Sequence, residues 1–295
     1  MAEIDAWSDI LSPETREVWP ILQKATKRID GCLMGGTALA IHMRHRISYD
    51  LDYMAHKGFS GDRLARRLRD STGDIEVDAS GPDQMHARVK GVLIQVFRTP
   101  HRGATPGHVK TLKQPFGIDG LPVASLPDLL ASKLDVIMYR PKLRDYIDLM
   151  AMDMAGPYTL EDGLRFHMRR YGITPASNDA ARIVQLLETP GELDIDPIFE
   201  DRKDDVLRYL ASRAPDLEQR LHQMRRAQVG ENRPEPPDRK GQAGLTPDFD
   251  ELIAGSSPTS EGTAAKRNTG RCQHIGKRTK KQCKRPPHSD DNHRY

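Results

Sequence analysis

Residues 34–54 constrain this chain more than any other stretch, because two adjacent glycines are followed there by polar residues at alternate positions. The glycines, Gly35 and Gly36, open a helix that we predict over about residues 37–43. Backbone N–H groups at a glycine-led helix start are suited to hold phosphate. His45, which follows the helix, is predicted to pack or to lie at the surface, with contact to RNA or phosphate as the alternative. The first half of the stretch therefore predicts a phosphate-binding turn.

A strand is predicted over residues 47–54, in the second half of the stretch, with three polar side chains on one face. Because side chains alternate along a strand, Ser48, Asp50 and Asp52 share that face. Asp50 and Asp52 would be about 7 Å apart at Cα, and two carboxylates this close repel each other unless a cation lies between them. We predict that they bind Mg²⁺ or Mn²⁺, with a surface position on an edge strand as the alternative. A phosphate-binding turn beside a metal site is the minimal equipment for nucleotidyl transfer.

Composition and charge exclude several classes of protein. The 295 residues suffice for one large domain or two ordinary ones, and 37% of them are hydrophobic. The sequence contains no run of 18 apolar residues, so neither a transmembrane helix nor a membrane partner is predicted. The first residues lack the pattern of a signal peptide, and the three cysteines do not make a disulfide framework, so we predict a cytoplasmic location.

The order of predicted elements is a helix, then mixed helices and strands, then helices only, which is typical of an α+β fold. Strands are predicted over residues 47–54, 74–79 and 87–98. Helices are predicted over about residues 13–28, 37–43, 60–71, 125–140, 142–155, 160–171, 176–189 and 199–227. We predict four segments, namely an α/β core at 1–122, a helical domain that completes the active site at 123–228, a flexible linker at 229–270 and a basic Cys/His tail at 271–295.

A second group of charged residues lies on two of the predicted helices. Lys133 lies on the first helix and offers a point charge for phosphate, with a solvated helix lysine as the alternative. Asp145 and Asp148 lie on the second helix and, being three positions apart, share one face of it. Pairing of one of these carboxylates with Arg140 or Arg144 is the structural alternative to a role in the site.

The two groups together resemble a known signature. The first group comprises Gly35-Gly36-Thr37-Ala38-Leu39, Arg46, Ser48 and Asp50-Leu51-Asp52-Tyr53, and the second comprises Ser132-Lys133-Leu134, Arg140 and Arg144-Asp145-Tyr146-Ile147-Asp148-Leu149. They resemble the GG-T-A-L … R-x-S-x-D-L-D-[FY] and K … R … [KR]D-x-x-D-[LF] motifs of the AbiEii-type nucleotidyltransferase toxins. That family includes the MenT toxins and belongs to the polymerase-beta-like superfamily. The resemblance covers about residues 20–190.

The resemblance implies a polymerase-beta-like nucleotidyltransferase core and a Mg²⁺-dependent enzyme that transfers NMP from an NTP to RNA, with the tRNA 3′ end as acceptor and pyrophosphate as product. It also implies a toxin of a phage-defence toxin–antitoxin system, with an antitoxin as partner. The implied catalytic residues are Asp50, Asp52, Lys133 and Asp148, the first two being the metal ligands. The implied nucleotide-binding residues are Gly35, Gly36, Thr37, Arg46, Ser48, Lys133 and Asp145.

One departure from the superfamily pattern concerns a third carboxylate, which polymerase-beta-like enzymes generally carry on a following strand. The predicted strand at 87–98 has Gln95 in its middle, and Glu76 or Asp78 on the preceding strand are the alternatives. Asp148 is a further candidate to take the place of the missing acid. Two other functions stay open: a nucleotide-binding regulatory protein without turnover, and a transferase that adds AMP or UMP to protein.

The C-terminal region is basic and carries four residues of types that bind zinc. Residues 266–285 hold nine Lys or Arg and no Asp or Glu, a pattern that favours contact with nucleic acid through counterion release. Cys272, Cys283, His288 and His293 make a set of four ligands suited to tetrahedral Zn²⁺. A disordered or solubilising basic tail is the alternative to both predictions.

Overall fold

The computed structural model describes residues 3–73, 75–98 and 109–227 of the chain, all of which fall inside the unit Met1–Ser257. The predictions for the linker and the tail lie outside the described residues, and so do the predicted zinc ligands Cys272, Cys283, His288 and His293. Within the part of the chain that is described, no helix is both long enough and apolar enough to cross a membrane.

The strands form one mixed sheet in which the acidic strand is central. They are β1 (Gly31–Met34), β2 (Leu51–Ala55), β3 (Glu76–Gly81), β4 (Gln84–Val89), β5 (Val92–Arg98), β6 (Phe116–Ile118) and β7 (Leu121–Val123). Their order in the sheet is β3-β4-β5-β2-β1-β7-β6. β2 pairs antiparallel with β1 and parallel with β5, so that Asp52 is opposite Met34 on one side and Gln95 on the other.

Five of the eight described α-helices begin at a Ser or Thr N-cap, and the helices share one core with the sheet. They are α1 (Pro13–Thr26), α2 (Gly35–Met43), α3 (Gly61–Thr72), α4 (Leu126–Val136), α5 (Leu143–Ala155), α6 (Leu160–Tyr171), α7 (Asn178–Glu188) and α8 (Lys203–Ala227), with 3₁₀ helices at Glu3–Trp7 and Pro197–Arg202. The predicted N-cap at Ser125 is confirmed. Leu39 of α2, Leu134 of α4 and Ile147 of α5 are all buried in the same hydrophobic cluster as the sheet. This shared core brings residues that are distant in sequence to one end of β2 and confirms the predicted α+β class.

The strand predicted over residues 87–98 is wrong in one respect, because it is two strands joined by a tight turn. Lys90 and Gly91 have positive φ angles of 50° and 82°, and Val89 pairs with Val92 across the turn. Two successive residues at positive φ match the twist of a two-residue hairpin, which explains why an uninterrupted β-type sequence reverses here. β6 and β7, of three residues each, were not predicted.

The strand predicted over residues 47–54 also needs correction, because β2 starts only at Leu51. Ser48 instead makes an isolated parallel bridge with Leu11. The helix predicted over 199–227 is divided as well, into the 3₁₀ helix Pro197–Arg202 and α8. Ser48 and Asp50 therefore lie on an extended connection that leads into the strand.

Candidate active site

Gly35 and Gly36 allow charged side chains to approach the start of α2 closely. Gly35 has a φ of +70°, and a Cβ placed there would collide with the Asp52 carboxylate. A Cβ on Gly36 would collide with the guanidinium of Arg46 and would lie 3.2 Å from Ser48 Oγ. The two glycines are therefore required by the side chains that gather at this turn as well as by its backbone conformation.

Backbone contacts fix the extended connection that carries Ser48 and Asp50. The Ser48 N–H donates to Ile10 O at 3.1 Å. The Thr37 hydroxyl donates to Asp50 O at 2.5 Å, and Thr37 is 1% exposed. Thr37 thus holds Asp50 in place, and its contact with nucleotide stays a prediction.

Ser48, Asp50 and Asp52 all line one cavity of about 460 Å³. Burial and the nearby charge of Asp50 raise the pKa of the Asp52 carboxyl above its usual value. Arg144 Nη1 lies 4.0 Å from Asp50 Oδ2. Among the described residues, the Asp52 side chain makes no hydrogen bond or ion pair. An enclosed carboxylate without a directly bound counter-charge is suited to a cation.

A buried charge network lies next to the carboxylate pair. Asp148 is 0% exposed and accepts hydrogen bonds from Arg46 Nε at 2.7 Å and Nη2 at 3.0 Å, and from His45 Nε2 at 2.7 Å. Lys133 Nζ lies 2.6 Å from Asp148 Oδ2 and 2.5 Å from Asp145 Oδ1. We call these five residues, from α4, α5 and the connection after α2, the buried charge network.

The network has a definite protonation pattern. Burial opposes ionisation of Asp148, but Arg46 and Lys133 outweigh it and hold its pKa well below the usual value. Burial lowers the pKa of His45, so the ring is neutral and its Nε2–H donates to the carboxylate. Burial would also lower the pKa of Lys133, yet Asp145 and Asp148 raise it and keep the amine charged. Two cations and two carboxylates therefore cancel in formal charge.

This geometry indicates that Asp148 positions the cations. Both of its carboxylate oxygens are occupied by Arg46, Lys133 and His45. It does not pair with Arg140 or Arg144 in the manner of the structural alternative. Asp145 does approach Arg140, with 3.9 Å between Arg140 Nε and Asp145 Oδ2, and it lines the cavity.

The position expected to hold a third carboxylate is occupied by Gln95. Gln95 pairs with Asp52 across β2 and β5, and both residues line the cavity. Glu76 and Asp78 lie on β3 at the sheet edge, with β4 and β5 between them and β2, so neither is placed to assist. Within the described ranges, no group of three or more His, Cys, Asp or Glu is arranged to hold a metal ion. At this end of β2 the cavity is therefore lined by the carboxylates of Asp50 and Asp52, with the amide of Gln95 beside them.

Two parts of the site were not predicted from the sequence. His45, predicted to pack or lie at the surface, is a buried partner of Asp148. The segment 196–202 forms a wall of the cavity through Asp196, Ile198, Phe199 and Arg202. The sequence Asp196-Pro197 signals a helix start, but no local pattern says which part of the protein that helix faces.

Comparisons with known proteins identify the family of the chain. The family model described as "Nucleotidyl transferase AbiEii toxin, Type IV TA system" matches residues 22–254. Among solved structures, the chain is similar to MenT4, a nucleotidyltransferase toxin from Mycobacterium tuberculosis, with 15% identity and a TM-score of 0.43 over 81% of this chain and 90% of that one. No curated protein sequence matches the chain. Since the family model spans most of its length, the chain belongs to the AbiEii family of nucleotidyltransferase toxins of type IV toxin–antitoxin systems.

Proposed function

We propose that this nucleotidyltransferase depends on Mg²⁺ and transfers NMP from an NTP to the 3′ hydroxyl of an RNA, with release of pyrophosphate. The observation that carries the proposal is a single cavity lined both by the carboxylates Asp50 and Asp52 and by the cations Arg46 and Lys133. Phosphoryl transfer depends mainly on positioning and on neutralising charge. This cavity provides groups for both tasks.

Asp50 and Asp52 fit a divalent metal ion. The raised pKa of Asp52 reflects burial and the charge of Asp50, and both effects are relieved when a cation neutralises the pair. With two protein carboxylates, the other ligands would be phosphate oxygens and water, as is common for Mg²⁺ at nucleotide sites. When bound, the ion would stabilise the charge that develops at the α-phosphate and would assist ionisation of the attacking hydroxyl.

Arg46 and Lys133 are the proposed triphosphate ligands. Lys133 Nζ carries three protons, of which Asp145 and Asp148 engage two, so one remains for a phosphate oxygen. Because the network is neutral in formal charge, additional positive charge must come from the cavity rim. Arg140, Lys142 and Arg144 line the cavity and can supply it.

The reaction follows from this placement. The acceptor oxygen forms a bond to the α-phosphorus while the bond from that phosphorus to the pyrophosphate oxygen breaks. The hydroxyl proton passes to solvent. Arg46 and Lys133 contact the leaving pyrophosphate, and Arg140, Lys142 and Arg144 supply the positive charge that neutralises it. Gly36 and Ser48 border the same phosphates.

RNA is the proposed acceptor, with the tRNA 3′ end as the specific target. Two considerations support it: the motif resemblance, and the run of nine Lys or Arg in residues 266–285, which favours contact with a polyanion. Membership of the family implies a cognate antitoxin as partner. A role in phage defence is part of the same proposal.

Incubation of the protein with each α-labelled NTP, total RNA and total protein tests the proposal. We expect label in RNA in the presence of Mg²⁺ and none after chelation. Asp50→Ala and Lys133→Ala should abolish incorporation, whereas Lys90→Ala, which removes an exposed lysine paired with Glu17, should not. Label in protein alone would show a protein-modifying transferase, and full incorporation by both site variants would refute the site assignment.

A further inference from the structure

Exposed apolar side chains are concentrated at the mouth of the active-site cavity. The described residues include five large hydrophobic side chains with high exposure, and three of them line this cavity. These are Ile47, Tyr49 and Ile198, which are 46%, 56% and 70% exposed. Single exposed apolar residues are common, but a cluster beside a charged cavity marks a binding surface. Its ligand should combine an anionic part with an apolar part.

Tyr49 is held in place by its backbone while its ring stays exposed. The Thr15 hydroxyl donates to Tyr49 O at 3.2 Å, and Thr15 is fully buried. On either side, Ser48 N–H donates to Ile10 O and Asp50 O accepts from Thr37. The backbone that carries the Tyr49 ring, next to the proposed metal ligand Asp50, is therefore fixed. This reduces the conformational entropy that would be lost when a ligand binds.

Ile198 is also presented on a fixed element. Its N–H donates to Asp196 Oδ1 at 3.1 Å, which caps the 3₁₀ helix. Just before the cap, Asp194 N–H donates to Pro141 O at 2.9 Å, and Asp194 O accepts from Leu143 N–H at 3.0 Å. These bonds tie the segment to the start of α5, which carries Asp145 and Asp148. We call Tyr49 and Ile198 the apolar wall of the cavity. Its residue Ile198 is therefore connected by backbone hydrogen bonds to the helix that carries part of the buried charge network.

We propose that Tyr49 and Ile198 bind the nucleobase of the incoming NTP. The triphosphate belongs with Arg46 and Lys133 in the interior of the cavity, so the flat, largely apolar base of the same molecule is the part left for the mouth. A base gains affinity from stacking on an aromatic face regardless of its identity. Asp196 and Arg202, which flank this wall, present polar groups that can distinguish base edges. The inference rests on the proposed function and assigns the residues that hold the base of the nucleotide.

Binding measurements without RNA test this inference, with inorganic tripolyphosphate as a ligand that lacks a base. In the full chain, Tyr49→Ala and Ile198→Ala should each weaken NTP binding about tenfold and leave tripolyphosphate binding unchanged. Tyr49→Phe keeps the ring and should retain wild-type affinity. Phe116→Ala is the matched control, because Phe116 is 38% exposed but lies on the edge strand β6, outside the cavity lining.

Three results would overturn the inference. Equal loss of affinity for NTP and tripolyphosphate would mean that Tyr49 and Ile198 support the phosphate site. Unchanged NTP affinity with a raised KM for RNA would assign the apolar wall to the acceptor. No NTP binding by the wild type would refute both this inference and the proposed function. Wild-type NTP binding without transfer of label to RNA would refute the proposed acceptor alone, and the base-binding comparison would still be decisive.

Discussion

Asp148→Asn tests whether the buried charge network organises the active site. The substitution keeps the shape of the side chain but removes the charge that faces Arg46, Lys133 and His45. Lys133 retains Asp145, whereas Arg46 loses the carboxylate that holds two of its nitrogens. Breaking a buried ion pair from one side costs about 3–5 kcal/mol, so we expect a loss of that size in the free energy of unfolding at pH 7.

The pH dependence of this loss follows from the depressed pKa of Asp148. A carboxylate with a lowered folded-state pKa stabilises the protein above its unfolded pKa of about 3.9, and the benefit disappears as the pH falls toward the folded value. The stability difference between wild type and Asp148→Asn should therefore be complete at pH 7 and should shrink below about pH 4. Urea unfolding, followed by circular dichroism across this range, measures it.

A matched control exists on the same helix. The side chain of Asp153 of α5 is 2% exposed and pairs with Arg213 Nε at 2.8 Å and Tyr209 OH at 2.8 Å, outside the cavity. We expect Asp153→Asn to lower stability without changing nucleotide affinity per folded molecule, whereas Asp148→Asn should weaken NTP binding at temperatures where it remains folded. If the two variants bound NTP equally well, the idea that Asp148 positions Arg46 and Lys133 would be refuted.

Three further perturbations have clear expectations. Gly36→Ala should displace Arg46 and weaken NTP binding measured by calorimetry, whereas Gly117→Ala, with open space around its Cα, should bind like wild type. Gln95→Glu adds an acid beside the carboxylate pair and should raise the affinity for Mn²⁺ measured by electron paramagnetic resonance; unchanged affinity would place residue 95 outside the metal's reach. Gly91→Ala meets no neighbouring atom but forces alanine to a φ of 82°, so thermal unfolding should show a loss of about 1 kcal/mol with intact activity.

Features encoded by neighbouring residues were predictable from the sequence. The glycine pair at the start of α2 depends on local backbone geometry, and the nearby Ser48, Asp50 and Asp52 reach one cavity as predicted. The alternation of faces was wrong for residues 47–50, because Tyr49 lines the same cavity. The hairpin at 90–91 was missed although Lys-Gly carries a turn signal, because the flanking residues form one continuous β-type run.

Features that depend on packing between distant segments were not predictable. Asp148 could be assigned to a helix face, but its contacts with His45 and Arg46 join positions 103 and 102 residues apart. Those contacts follow from the common core of α2, α4 and α5. The cavity wall at 196–202 has the same origin, since its place is set by backbone bonds to the start of α5.

The contacts made by residues 10–15 have a practical consequence for protein engineering. Ile10 and Thr15 accept and donate the bonds that hold Ser48 and Tyr49, yet both precede residue 22, where the family match begins. A deletion of the residues before position 22 would keep every motif residue. It would still remove the backbone contacts that hold Ser48 and Tyr49 next to Asp50. Expression designs and fusion joints for this toxin should therefore keep residues 10–15 intact. A shortened, inactive product should not be taken as evidence against the motif.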